Sequence, residues 1–316
     1  MINNTLKIAV INGGSSAEAS VSRVSAQGVI SALKENYKQV NSIELDASLS
    51  LNLGQFSPDI VVPILHGPPG EDGTLQGYLE ILGLEYVGSG VHASAVAMDK
   101  VTAKQIFDNA NLPIAAQKVF KQSDDIADAV KSVVGELGNQ VVVKPATQGS
   151  ALGVTLVSDE NSLHQALTTA FDFDKKVLVE ERVFGKEITV GVLDTDAGPI
   201  AFPVIDIITK EESRYDFEHR YTKGLSQHIV PADLSAEQTN RLQDIAIQAH
   251  VALGCRDLSR ADFIVPNDKE EILLEVNTLP GMTPTSLYPD AAKVYGLSFP
   301  ALMRHLVERA LARKLQ

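Results

Sequence analysis

Apolar positions along the chain fall into short unbroken runs that end in glycine. Lys7 to Asn12 stops at Gly13-Gly14, and Asp59 to His66 stops at Gly67-Pro68-Pro69-Gly70-Glu71-Asp72-Gly73. Runs of this length read as buried strands. The first turn leads into Ser15-Ser16-Ala17-Glu18, where Ser15 and Glu18 have the spacing of a helix capping box, and the second into a helical segment from Thr74 to Leu82. Strand, tight turn and helix in alternation predict a parallel α/β layer, with ligands at the carboxyl ends of its strands. This first unit is expected to close near Ser94.

Beyond it the pattern changes. Met98 to Ala110 and Ile126 to Leu137 read as helices, whereas Val141 to Val157 reads as strand, glycine loop and strand. Val177 to Glu181 and Ile188 to Leu193 flank Phe184-Gly185-Lys186 like the arms of a hairpin on a second sheet. Leu242, Ile245, Ala246, Ala249 and Leu253 keep helical spacing. Lys210 to Pro231 is polar and weakly periodic, so a long functional loop is expected there.

Composition narrows the class. The 316 residues carry 27 Lys+Arg against 40 Asp+Glu, a formal net charge of −13. That balance disfavours nucleic acid and anionic membrane surfaces, so any anionic ligand needs local positive charge. With 44% hydrophobic and 21% charged residues the chain has globular composition, and at ~150 residues per domain its length predicts two or three units. Cys255 is the single cysteine, no Cys/His cluster has zinc-ligand spacing, and there is neither a basic leader nor an apolar run of the ~18 residues a bilayer span needs. A soluble cytoplasmic protein is expected.

Candidate chemistry concentrates in three places. Near the end, two strands are joined by Pro266-Asn267-Asp268-Lys269. Alternation puts Leu258, Arg260, Asp262 and Ile264 on one face of the first, and Leu273, Glu275 and Asn277 on one face of the second. Pairing Asp262 with Glu275 sets Arg260 opposite Asn277, gathering two carboxylates, an amide and a guanidinium. Such hard oxygen ligands suit Mg²⁺, which completes its shell with phosphate oxygens and water. A solvated sheet face would show the same alternation, but the apolar Ile272, Leu274 and Val276 opposite and the following Asn277-Thr278-Leu279-Pro280-Gly281 favour the metal site.

The second place is Gln148-Gly149-Ser150-Ala151-Leu152-Gly153, preceded by Lys144. Glycines let backbone N–H groups approach phosphate, and the lysine adds a point charge. No Gly-Lys-Ser/Thr ending follows and Val154 continues as strand, which excludes a Walker A loop; the turn after the first strand likewise lacks a dinucleotide fingerprint. The third place is Glu18 beside Gly13-Gly14, where a helix start can receive an anion and the carboxylate an ammonium, the charges of an amino acid. Glu18 can equally be a helix cap, and His66 can orient a carboxylate or be structural.

Together Gly13 to Glu18, His66 to Gly77, Met98-Asp99-Lys100, Val143-Lys144-Pro145 and Leu274 to Thr283 resemble the D-alanine–D-alanine ligase family of the ATP-grasp superfamily over essentially the whole chain. The resemblance implies an α/β fold with α+β elements: a Rossmann-like parallel-sheet domain (residues 1–94), then a central domain (95–186) and a C-terminal domain (187–316) that sandwich ATP. It implies that Lys100 and Lys144 contact the ATP phosphates, that Glu180 and the Val183 backbone read adenine, and that Glu187 holds the ribose. Asp262, Glu275 and Asn277 would hold two Mg²⁺ ions, or Mn²⁺. Glu18 would bind the ammonium of the first D-alanine and His66 lie near its carboxylate; Arg260 and the Gly281 backbone would stabilise an oxyanion, and Ser286 and Leu287 anchor the second D-alanine. Ser150 and Tyr221 would join Glu18 in a hydrogen-bonded trio that closes the long loop, and the assembly would be a homodimer.

The chain makes three departures from the family pattern. Thr147-Gln148 stands for an arginine-glutamate pair, Ala151 for a serine, and Arg220 for a lysine near the γ-phosphate. Tyr221, where makers of a D-alanine–D-lactate ester carry histidine, favours a peptide product. The alternatives are an ATP-grasp ligase for another carboxylate–amine pair and a nucleotide-binding regulator with a degenerate site.

Overall fold

Strand β1 (Lys7–Asn12) runs between β2 (Gln39–Glu44) and β3 (Ile60–Pro63), parallel to both. Helices cover both faces of this sheet, so Ile8, Ala9, Val10 and Ile11 are wholly buried and the strand reads as an unbroken apolar run rather than an alternation. The computed structural model describes residues 4–16, 18–209, 225–267, 270–283 and 286–313. One face packs α1 (Ala19–Lys34) and, from the far end of the chain, α10 (Phe299–Arg313); the other packs α2 (Leu49–Phe56) and α3 (Thr74–Ile81). Between β1 and α1 the chain turns at Gly13, whose φ of +80° strains any residue with a side chain. The expected capping box does not form. Glu18 occupies the N-cap of α1 without capping it, because its side chain is drawn to the glycine loop.

The helix expected from Met98 to Ala110 is α5 (Lys100–Asn109), and a further helix that the sequence reading did not separate, α4 (Val91–Met98), precedes it. The Asp99 carboxylate accepts from the N–H groups of Val101 and Thr102 at 3.1 and 3.3 Å and starts α5 afresh. Lys100 is thereby the first residue of α5, aimed by its cap. Ser94 lies inside α4.

A four-stranded antiparallel sheet follows, ordered β4 (Gln117–Lys121), β7 (Lys176–Glu181), β5 (Val141–Pro145), β6 (Thr155–Val157). Helices α6 (Ile126–Leu137) and α7 (Glu160–Phe171) bury one face through Val133, Val143, Val157, Leu167 and Val179. The register Val142↔Glu180 and Lys144↔Leu178 turns Lys144 and Glu180 to the other, open face.

The third sheet runs β11 (Ser226–Ile229), β10 (Ile205–Thr209), β8 (Lys186–Thr195), β12 (Leu258–Val265), β13 (Ile272–Asn277), with β9 (Gly198–Ala201) on β8. Helix α8 (Ala236–Ala252) packs Leu242, Ala246 and Ala249 onto Ile188, Val190 and Phe263, while α9 (Leu287–Tyr295) lies towards β1 and α1. The expected hairpin around Phe184-Gly185-Lys186 is absent: β7 and β8 follow one another but pair in different sheets, so this turn joins two sheets instead. Part of the expected long loop is strand β11, paired with β10; residues 210–224 lie outside the described set.

β12 and β13 pair with Asp262 opposite Glu275 and Arg260 opposite Asn277, as the sequence predicts. The alternation of β13 is different. Phe263 faces Leu273, so Leu274 is an extra residue, a β-bulge that sends Leu273 into the core and turns Leu274, Glu275 and Asn277 toward the cleft. The buried face is Leu273 and Val276, rather than Ile272, Leu274 and Val276. Across the molecule, the Asp257 carboxylate accepts from Gly88 N–H at 2.8 Å and pairs with Arg313, which donates to the Tyr86 carbonyl at 2.6 Å. These contacts fasten the parallel sheet to the large antiparallel one.

Candidate active site

Two cavities adjoin in the cleft and share Lys100, Ser150 and Glu275. The larger, about 350 Å³, lies between the open faces of the two antiparallel sheets. Its walls are Val142, Leu156, Ile264 and Leu274, and its edge is the connection Glu181 to Gly185 with Val183 and Glu187. Lys144 and Glu180 stand at its inner end. Glu180 pairs with both Lys104 and Lys144. Burial alone would raise the Glu180 carboxyl, but the two ammonium groups outweigh it and hold the group at about 2.

The smaller cavity, about 90 Å³, is lined by Glu18, His66, Glu71, Arg260, Asn277, Gly281, Ser286 and Leu287. The sequence therefore places the expected amino-acid residues together from the β1–α1 turn, the end of β3, β12 and the start of α9. Ser150 Oγ donates to Glu18 Oε1 at 2.5 Å, and the glycine loop thereby covers this cavity. Gly13 N–H, a candidate anion donor, is already given to Ser22 Oγ at 2.7 Å. His66 is buried, and its Nε2 has no hydrogen-bond partner among the described residues. Burial pushes the imidazole pKa down, with Glu18 opposing and Arg260 assisting, so the ring is held neutral. Ser286 Oγ accepts from Thr283 N–H at 2.9 Å and lies against Gly281, which ties Thr283 to the start of α9.

Between the cavities, Lys100 Nζ donates to the Gln148 carbonyl at 2.8 Å and lies 3.3 Å from Glu275 Oε2. Arg260 grips Asp262 with two hydrogen bonds of 2.9 and 2.8 Å, and Thr189 Oγ1 donates to Asp262 at 2.6 Å. Asn277 Oδ1 accepts from Leu279 N–H at 3.0 Å. Among the described residues no three His, Cys, Asp or Glu side chains converge as a metal cage. Two carboxylates and an amide oxygen fit a Mg²⁺ ion that takes its remaining ligands from phosphate and water.

The departures at Thr147-Gln148 have a structural account. Thr147 gives both its N–H and its hydroxyl to Asp174 Oδ2 at 2.7 Å, and Gln148 Nε2 donates to the Phe173 carbonyl at 3.1 Å, so the base of the glycine loop is tied by hydrogen bonds to the α7–β7 turn. Arg220 and Tyr221 lie outside the described residues.

Sequence reasoning assigned nothing to Glu71, Thr189 or Lys104. Glu71 sits inside the motif that starts at His66; its Oε2 accepts from Gly67 N–H at 2.5 Å, and burial raises its carboxyl to about 8. Thr189 was discoverable only through the β8–β12 register that sets it opposite Asp262. Lys104 follows Lys100 by one helical turn, a spacing that carries no signal by itself.

Two antiparallel sheets enclosing a lysine-lined cleft, with a parallel sheet supplying an adjoining polar pocket, define the ATP-grasp class of fold. The family description "D-ala D-ala ligase C-terminus" matches residues 106–308, and "D-ala D-ala ligase N-terminus" matches residues 47–89. The chain belongs to the D-alanine–D-alanine ligase family. A D-alanine–D-alanine ligase of Halalkalibacterium halodurans is 43% identical over 309 residues, covering 98% of this chain and 100% of the relative. One of Desulforudis audaxviator is 42% identical over 308 residues, covering 97% and 99%. The solved ligase of Bacillus anthracis complexed with ATP superposes with a TM-score of 0.84 at 31% identity, covering 98% of this chain and 99% of that one. That of Coxiella burnetii gives 0.86 at 27% identity, covering 99% and 95%.

Proposed function

We propose that this protein joins two D-alanine molecules to D-alanyl-D-alanine at the expense of ATP, releasing ADP and phosphate for peptidoglycan precursor synthesis. The observation that carries this reading is the pair of adjoining cavities that share Lys100, Ser150 and Glu275. The carboxylate of the first D-alanine attacks the γ-phosphorus, giving an acyl phosphate. The amine of the second attacks that carbonyl, and phosphate leaves from the tetrahedral intermediate.

Glu18 receives the first ammonium, and neutral His66 lies by its carboxylate without adding charge. Arg260 and the Gly281 N–H face the developing oxyanion, where fixed donors stabilise the transition state most. Ser286 and Leu287 seat the second D-alanine. Lys100 and Lys144 bind phosphate oxygens, Glu180 and the Val183 backbone the base, and Glu187 the ribose. Asp262, Glu275 and Asn277 would hold Mg²⁺, or Mn²⁺, which when bound draws charge from the transferring phosphoryl group. An acyl phosphate hydrolyses in water, so the Ser150–Glu18 contact matters: it holds the loop shut over the intermediate. Tyr221 completes that closure and favours a peptide over an ester; Arg220 adds charge near the γ-phosphate. Both assignments rest on the resemblance.

The same reading divides the chain into units 1–94, 95–186 and 187–316, and takes the protein to be a cytoplasmic homodimer on its single cysteine and its family likeness. Among the described residues no helix is long and apolar enough to cross a membrane. Incubation with ATP, Mg²⁺ and D-alanine should yield ADP, phosphate and the dipeptide. Lack of D-alanine-stimulated ADP release would refute the proposal.

A further inference from the structure

Glu180 has an ammonium partner on each carboxylate oxygen, Lys104 at Oε1 and Lys144 at Oε2, and its side chain is only 2% exposed. The two lysines differ in freedom. Lys144 lines the nucleotide cavity and is 13% exposed. Lys104 is 1% exposed, lines neither cavity, and spends its other contact on the Leu273 carbonyl at 3.4 Å. One cation can leave the carboxylate for a ligand, and the other cannot. Removing both would strand a buried charge, which is strongly unfavourable.

We infer that nucleotide binding exchanges partners on Glu180: Lys144 swings from Oε2 to the polyphosphate, the exocyclic amine of adenine takes the released oxygen, and Lys104 remains on Oε1 as a fixed counter-ion. Lys104 is thus a positioning residue for base choice. The inference deepens the nucleotide reading of this cavity and rests on it. It has two physical consequences. Adenosine, which brings no phosphate to draw Lys144 away, must compete with Lys144 for Glu180. A 6-oxo purine presents an acceptor to an ionised acceptor and is rejected for as long as Lys104 keeps Glu180 charged.

The test is calorimetric titration of ATP, inosine triphosphate and adenosine, with Mg²⁺, into the full chain and into Lys144→Met and Lys104→Met. In Lys144→Met, ATP should bind weaker and adenosine tighter, each by roughly tenfold, the scale of one charged hydrogen bond. In Lys104→Met, ATP and adenosine should both weaken and the preference for ATP over inosine triphosphate should shrink toward one. A Lys144→Met protein that loses affinity for adenosine as it does for ATP, or shows no change for adenosine, overturns the exchange. A Lys104→Met protein with the original base preference overturns the role of Lys104. Circular dichroism checks that Lys104→Met folds; if it does not, the opposite shifts in Lys144→Met still decide the exchange. Absence of ATP binding by the unaltered chain would overturn the nucleotide reading itself, and the exchange with it.

Discussion

Ser150 and Glu18 stand 132 residues apart in sequence and meet through a 2.5 Å hydrogen bond from the serine hydroxyl to the carboxylate. The contact joins the glycine loop, whose Ser150 lines both cavities, to the turn that floors the smaller one, so the loop closes over the two together. Ser150→Ala removes a hydrogen bond to a charged acceptor, worth about 1.5–3 kcal/mol. The expected outcome is a roughly ten- to hundredfold loss in kcat/KM for D-alanine with a melting temperature lowered by no more than a few degrees, measured by coupled ADP release and thermal unfolding.

Glu275 is opposite Asp262 in the β12–β13 register, and its side chain is a third exposed, 3.3 Å from Lys100. Glu275→Gln should therefore fold normally and lose turnover by more than the roughly 10–100-fold that an outer partner of a metal site costs. Chelator should abolish ADP release by the unaltered protein, and Mg²⁺ or Mn²⁺ should restore it. Full activity of Glu275→Gln would remove it from the metal set.

Glu71 has its carboxyl raised to about 8 from a reference of 4.5, with burial the main cause. Between those values the folded state binds the proton that the unfolded chain releases, so stability from this group is full below 4.5 and is lost as pH rises through about 8. Relative to Glu71→Gln, the unaltered protein should lose denaturant stability across that interval. Its kcat/KM profile should contain a group titrating near 8 that the variant lacks. Parallel stability curves for the two proteins would contradict the burial argument.

Gly185 sits where the chain passes from the central sheet to the large one, and a Cβ there would lie 2.2 Å from the Val265 carbonyl oxygen. Gly185→Ala must push the two strands apart, at about 1–3 kcal/mol. A lower denaturation midpoint together with a raised KM for ATP is expected, since Gly185 also lines the nucleotide cavity. An unchanged midpoint would mean the connection yields freely.

Asp174 accepts both hydrogen bonds from Thr147. Asp174→Asn weakens the tie at the base of the glycine loop, and proteolytic cleavage within residues 147–153 should become faster in the absence of nucleotide. Equal cleavage rates would show that the tie does not restrain the loop.

The site was legible where strand alternation and tight turns dominate. Apolar runs ending in glycine located β1, β3 and the turns that carry Glu18 and His66, and pairing across the last hairpin set Asp262 against Glu275. Legibility failed where a tertiary contact overrode a local rule. The bulge at Leu274 changed which aliphatic residues of β13 are buried, because the extra residue lets Leu273 face the core while Glu275 keeps its place opposite Asp262. Helix α4 ahead of Asp99 went unread, and the turn at Gly185 linked two sheets rather than two arms of one. Lys104 was silent because a lysine one turn after another on a helix is ordinarily solvated, and only the neighbouring sheet makes it a buried counter-ion.

The smaller cavity draws on Glu18 from the first strand–helix turn and on Ser286 and Leu287 at the start of α9. During synthesis, a chain that has made β1 to β3 carries Glu18 and His66 with nothing to close over them, and one face of the sheet still lacks α10. Not until the residues beyond 280 have left the ribosome and docked can the pocket receive a substrate. Long-range pairing of this kind folds slowly. The smaller cavity is thus incomplete through most of the chain's elongation, and an amino acid that stabilises it acts on the finished chain, whereas every residue lining the larger cavity has been made by Glu275.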